Sequence, residues 1–162
     1  MTLGRTPSQT VGPYYAIGMS RRPDNELVGQ DTPGALELAG RLLDGQGEPI
    51  GDGVIEMWDA AGGRWGRSGT EAQGRYSFVV AKPDAQAGRA PRLDVYVHAR
   101  GLLRHQLTRV YFPDETEAND ADPVLSSLDE RERQTLIARQ QGAVLLFDIT
   151  MQGESATVFF AH

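Results

Sequence analysis

A chain of 162 residues with 16 basic and 22 acidic side chains, net charge -6, is long enough for one domain with a real core. It lacks the basic footprint expected of a nucleic-acid binder. With no cysteine it can hold neither a disulfide nor a thiolate-ligated zinc or iron–sulfur site, and its 19 glycines and 9 prolines favour short strands and turns over long helices.

The chain opens on "MTLGRTPSQTVGPYY", which has no continuous apolar stretch, and no run anywhere approaches the ~20 residues of a membrane span. The expectation is a cytoplasmic protein without a membrane partner. Residues 1–35, through "RRPDNELVGQDTPG", are polar and turn-rich and read as an extended arm. Within it Pro7, Gly12 and Pro13 set the backbone around Thr10 and two tyrosines in a stretch too short to bury itself. That mixture leaves two readings, an unordered tail or a segment ordered against another surface.

Residues 36–162 read as one all-β domain, a β-sandwich or a barrel. "ALELAGRLLDGQGEPI" gives a strand running into the Asp44-Gly45 turn, and "GVIEMWDA" gives the next. "GRYSFVVAKPD" is a strand stopped by Pro83, and "LDVYVHARG" and "LLRHQLTRVYF" follow. The acidic "PDETEANDADPVLSSLDERERQ" has room for one short helix, where Ser127 and Glu130 stand at capping-box spacing. "TLIARQ" and "AVLLFDITMQG" predict a hairpin about Gln141-Gly142, with "TVFF" as a last edge strand.

"PRLDVYVHAR" puts Arg92, Asp94, Tyr96, His98 and Arg100 on one parity, opposite Leu93, Val95, Val97 and Ala99. A strand sends the two sets to opposite faces, so the polar row is a metal site, an acid/base apparatus or a solvated surface. The three histidines, His98, His105 and His162, include no pair at i, i+2 or i, i+4, which argues against a self-contained histidine metal site. No serine sits in a G-x-S-x-G elbow. The carboxylate pairs Glu56/Asp59 and Asp129/Glu130 read as solvated charges, and Trp58, Trp65, Tyr76, Phe78 and Phe112 as core. By its residues alone the chain has no complete active site.

Several segments in this order, "TPSQTVGPYY", "GRLLDGQGEPIGDGVIEMWDA", "GGRW", "GRYSFVVAKP", "HARGLLRHQLTRVYF", "QTLIARQ" and "FDITMQGESATVFF", resemble the intradiol ring-cleavage dioxygenases. The resemblance implies an all-β sandwich of mixed topology with an N-terminal arm and at most short helices. Iron-bearing members hold a mononuclear Fe(III) with two tyrosines and two histidines in a His-x-His. Here the matching places are Trp65, a shortened loop near Gln86, and Arg92 with Asp94. Neither an indole nor a guanidinium ligates a cation, so no metal is expected on this chain.

The resemblance therefore implies an iron-free subunit, with no catalytic residue of its own, in repeated pairs with a homologous beta subunit that carries Fe(III). In such an arrangement the arm walls the partner's pocket, and Thr10, Gly12, Pro13, Tyr14 and Arg100 line the substrate site. The implied reaction opens protocatechuate between its two hydroxyls with O2. Arg92 and Asp94 are near enough in sequence to suggest an ion pair in the vacated space. A reading from another class is a non-catalytic β-sandwich binding module that folds and works alone.

Overall fold

The computed structural model describes residues 4–21, 23–86 and 88–161. His162 lies outside the described residues. Nine strands build two sheets: β1 (Ala35–Leu43), β2 (Val54–Asp59), β3 (Arg64–Gly69), β4 (Arg75–Ala81), β5 (Arg92–His98), β6 (Gln106–Tyr111), β7 (Arg139–Gln141), β8 (Val144–Leu146) and β9 (Ile149–Thr150). The first sheet runs β4-β1-β8-β7, with β9 also paired to β1, and the second runs β3-β2-β5-β6. β1 pairs in parallel with β8 and β9, while the other pairings are antiparallel, so the topology is mixed as expected.

Alternation explains how the sheets meet. Leu38, Leu42, Phe78 and Val80 from the first sheet and Ile55, Met57, Leu93, Val95 and Val97 from the second are fully buried in one core. A smaller cluster of Ala90, Tyr111, Leu125 and Leu136 closes one end. It is organised by Asp122, a buried carboxylate that accepts from the backbone N–H groups of Ala90, Val124 and Leu125 and from the Tyr111 hydroxyl. That set of donors is what lets a charged group sit inside.

Several expectations need correction. The glycine-rich "RWGRSG" forms β3, which its weak apolar signal concealed. The acidic segment holds two short helices, α2 (Thr116–Ala121) and α3 (Glu130–Gln134), around a 3-10 turn at Leu125–Ser127. The capping box is formed by Asp129 and Glu132, two residues beyond the expected start. The "TVFF" segment makes only a single bridge, Phe160 to Leu107. The hairpin at Gln141-Gly142 forms, with Gln141 opposite Val144 and Gly142 at φ 61°.

Before β1, the chain carries one five-residue helix, α1 (Tyr15–Met19), none of whose side chains is buried. After α1 the chain crosses the second sheet's edge, where Arg67 N–H donates to the Asp24 carbonyl at 2.7 Å. The crossing is close: a Cβ on Gly66 would stand 2.4 Å from Leu27 Cδ1, and one on Gly69 would stand 2.6 Å from Ser20 Oγ. Edge strand β3 is thereby covered.

Candidate functional site

β5 carries the candidate site on its outward face, and its two ends differ. At the first end, Asp94 pairs with Arg109 at 3.0 Å, and Arg92 Nε is buried with no hydrogen-bond partner among the described residues. The expected Arg92–Asp94 pair is absent because residues two apart on a strand are farther from each other than residues directly opposite, and Asp94 faces Arg109 across β6. A cavity of about 10 Å³ remains there, lined by Ala60, Ala61, Pro83, Gln86, Arg92 and Asp94 among others. That volume accommodates at most one water.

Trp65, expected in the core, is 43% exposed and lies under the Arg67 guanidinium, 4.7 Å from ring centroid to Cζ. On edge strand β3 its outward parity leaves only a cation to cover it. Of the other aromatics, Tyr76, Phe78 and Phe112 are buried as expected. Tyr76 donates to the Phe147 carbonyl, and burial, aided by Asp148, holds its phenol well above the usual range.

Iron does not fit this end. Its side chains are an indole, a guanidinium and a carboxylate already engaged by Arg109, and among the described residues no group of three or more His, Asp or Glu is arranged to hold a metal.

At the other end the arm meets the strand. Thr10 Oγ1 accepts from Gly101 N–H at 2.7 Å, which brings Thr10 beside Arg100. Arg100 pairs with Asp52, its own side chain 60% exposed. The Gly12 carbonyl accepts from Tyr15 N–H at 3.1 Å, Pro13 lines a groove of about 930 Å³ with Ile17, Asp52 and Ser68, and Tyr14 is 79% exposed. Thr10 and Arg100 thus converge within the chain, while Tyr14 and the Arg100 head present themselves outward.

Between the two ends lies a cluster that sequence reasoning missed. The Tyr15 ring sits 5.7 Å from that of His98, His98 sits 5.5 Å from His105, and His105 sits 5.4 Å from Tyr96. Glu56 accepts from Arg67 Nε at 2.8 Å and stands 3.5 Å from His98 Nε2. The alternation of β2 and β5 placed Glu56, Tyr96 and His98 on one face, but the register that makes them neighbours is not written in either strand alone. Glu56 and Asp59, expected as solvated charges, are instead covered and each paired with its own cation, Glu56 with Arg67 and buried Asp59 with Arg64.

Solved structures that share this architecture include ring-cleaving dioxygenases. An intradiol ring-cleavage dioxygenase from Tetranychus urticae superposes with a TM-score of 0.66 at 15% identity, covering 91% of this chain and 94% of the other. The dioxygenase domain of a carbohydrate-binding fusion protein from Streptomyces sp. SirexAA-E gives 0.63 at 22% identity, covering 91% and 99%. The fold is therefore the intradiol-dioxygenase β-sandwich, a class that is iron-dependent in general.

Sequence relatives narrow this further. The protocatechuate 3,4-dioxygenase alpha chain of Burkholderia cepacia is 37% identical over 193 aligned positions, covering 98% of both chains, and the alpha chain of Pseudomonas putida is 34% identical over 98% and 96%. The Burkholderia cepacia beta chain is 28% identical over 75% of this chain and 66% of its own length. The chain belongs to the protocatechuate 3,4-dioxygenase alpha-chain family. No family model matches it. The 193 aligned positions exceed its 162 residues, so the relative has residues with no counterpart here.

Proposed function

We propose that this chain is the iron-free alpha subunit of a cytoplasmic protocatechuate 3,4-dioxygenase, repeatedly paired with a homologous beta subunit that holds the Fe(III). The supporting observation is the conjunction of full-length likeness to alpha chains with Trp65, Arg92 and Asp94 where an iron-bearing member needs phenolates and imidazoles. The reaction adds both atoms of O2 to protocatechuate, breaks the ring bond between the two hydroxyl-bearing carbons, and yields 3-carboxy-cis,cis-muconate. Its redox chemistry belongs to the partner's iron, and this chain supplies walls and charge.

In this reading the arm and the end of β5 form one side of the shared pocket. Gly12 and Pro13 shape a surface without free donors beyond one N–H, and Thr10 and Tyr14 add hydroxyls that orient the substrate. Arg100 attracts the anionic ring acid. Its guanidinium has five N–H donors, enough to keep Asp52 and still meet a carboxylate. The partner completes the pocket over the outward-facing Tyr14.

The test is co-expression with the beta chain, followed by metal analysis and oxygen uptake on protocatechuate for the complex and for this chain alone. Iron and uptake confined to the complex are expected. A stable, active-ligand-binding monomer that ignores the beta chain would instead establish the binding-module alternative. In the complex, Arg100→Ala should raise KM for protocatechuate about tenfold, the worth of one charge-assisted hydrogen bond; unchanged kinetics remove Arg100 from the site.

A further inference from the structure

The helix α1 has no evident means of holding its place. Five residues are too few to be helical alone, its N-cap Tyr14 makes no side-chain capping bond, and no α1 side chain is buried. What fixes it is polar. Arg67 Nη1 donates to the Met19 carbonyl at 3.2 Å, while Nε and Nη2 of the same guanidinium grip Glu56 Oε1. The other oxygen of Glu56 stands 3.5 Å from His98 Nε2, which makes no hydrogen bond among the described residues, and the His98 ring lies against Tyr15, the first residue of α1.

All three side chains are mostly covered, Arg67 and Glu56 at 17% exposure and His98 at 18%. Glu56 is directly opposite Arg67 across β2–β3, so the sheet register holds the fork in a fixed position. Val54, also on this outward parity, is fully buried, which shows that the face is covered rather than solvated.

We propose that Arg67, Glu56 and His98 form a latch that seats α1 on the second sheet and thereby positions Gly12, Pro13 and Tyr14. The arm segment between Thr10 and Tyr15 is tied at both ends, to Gly101 N–H through Thr10 and to His98 through Tyr15. Four residues between two anchors have little slack, so displacing α1 displaces the wall. The three are positioning residues that do not touch the substrate: Arg67 and His98 touch the arm, and Glu56 stands between them. The polar row of β5 is accordingly a bed for the arm at its His98 end. This inference rests on the proposed function for its kinetic readout only.

The test uses the alpha–beta complex carrying Arg67→Lys or Glu56→Gln. A lysine keeps the charge but cannot grip Glu56 with a planar fork and reach the Met19 carbonyl together. Expected are tryptic cleavage after Arg21 faster by about tenfold and KM for protocatechuate raised about fivefold, with kcat, iron content and oligomer size within about twofold of the parent. Unchanged cleavage overturns the latch. Faster cleavage with unchanged KM overturns its link to the pocket. Should either variant fail to assemble, Glu56→Met with Arg67→Met replaces the pair by apolar chains of similar length, keeping the fold while removing the donor to Met19, and the same two readouts apply. If the parent complex does not consume protocatechuate, the functional reading fails, and the cleavage rate still decides whether the latch holds the arm.

Discussion

The two ends of β5 have met opposite fates. At the Arg92 end the protein closes over its own side chains: Asp94 is taken by Arg109, Arg92 Nε is buried without a hydrogen-bond partner among the described residues, and the space left is about 10 Å³. The neighbouring Tyr111 and Asp122 close that end with buried hydrogen bonds. At the Arg100 end a groove of about 930 Å³ begins, Tyr14 is 79% exposed and Ile17 is 75% exposed. One end of the strand is closed within the chain and the other lies open. The outward residues of this strand are not what holds the fold, because the sandwich is held from the inward parity, where Leu93, Val95 and Val97 are fully buried.

The sharpest way to break this comparison is to remove the open end. Deleting residues 1–14 in the complex should lower kcat/KM for protocatechuate about a hundredfold, the cost of a misplaced or missing pocket wall, with thermal stability little changed because no core residue is lost. Equal kinetics for the truncated complex would make both ends alike in being spent.

The closed end is tested by trying to reopen it. Arg92→His with Asp94→His restores a His-x-His, yet the chain should still retain no iron on metal analysis, because Trp65 and Gln86 supply no phenolate. The same double variant should be less stable to denaturant by about 1–2 kcal/mol, since Arg109 loses its half-buried carboxylate. Stoichiometric iron on this chain would show that the cavity adapts.

The smallest effect concerns Tyr111, whose phenol burial, reinforced by Asp122 and opposed by Arg109 and Arg92, pushes up to about 12. Below pH 10 the folded and unfolded states both keep the proton. Between pH 10 and about 12 the unfolded chain releases it first, so stability falls as pH rises through that window. Tyr111→Phe should cost about 1 kcal/mol at neutral pH through the lost bond to Asp122 and then show a shallower alkaline decline. Urea unfolding at pH 7 and pH 11 reads both; parallel declines would mean that Tyr111 contributes nothing to the pH dependence.

Much of this architecture is legible in the chain. The alternation in β1, β4 and β5 predicts which side chains enter the core, and Leu38, Phe78, Val95 and Val97 are where that pattern puts them. β3 escaped because two of its six residues, Gly66 and Gly69, are glycine and its one large apolar residue, Trp65, faces outward. Ser127 with Glu130 and Asp129 with Glu132 both have capping-box spacing, and the helix starts at Asp129 because Ser127 ends a 3-10 turn in which its hydroxyl donates to the Val124 carbonyl. Trp65, Arg92 and Asp94 could be compared one by one with an iron site because ligation depends on residue type.

Composition and local pattern by themselves determined an all-β domain, the inward set of each long strand and the lack of any thiolate ligand. These follow from side-chain chemistry and from the two-residue period of an extended chain. Only the tertiary structure decided that Asp94 belongs to Arg109 and not to Arg92, that Thr10 meets Gly101, and that Arg67, Glu56 and His98 gather beneath α1. Those are encounters between residues up to 91 positions apart, set by strand register and by the path of the arm across an edge, and no local period encodes them.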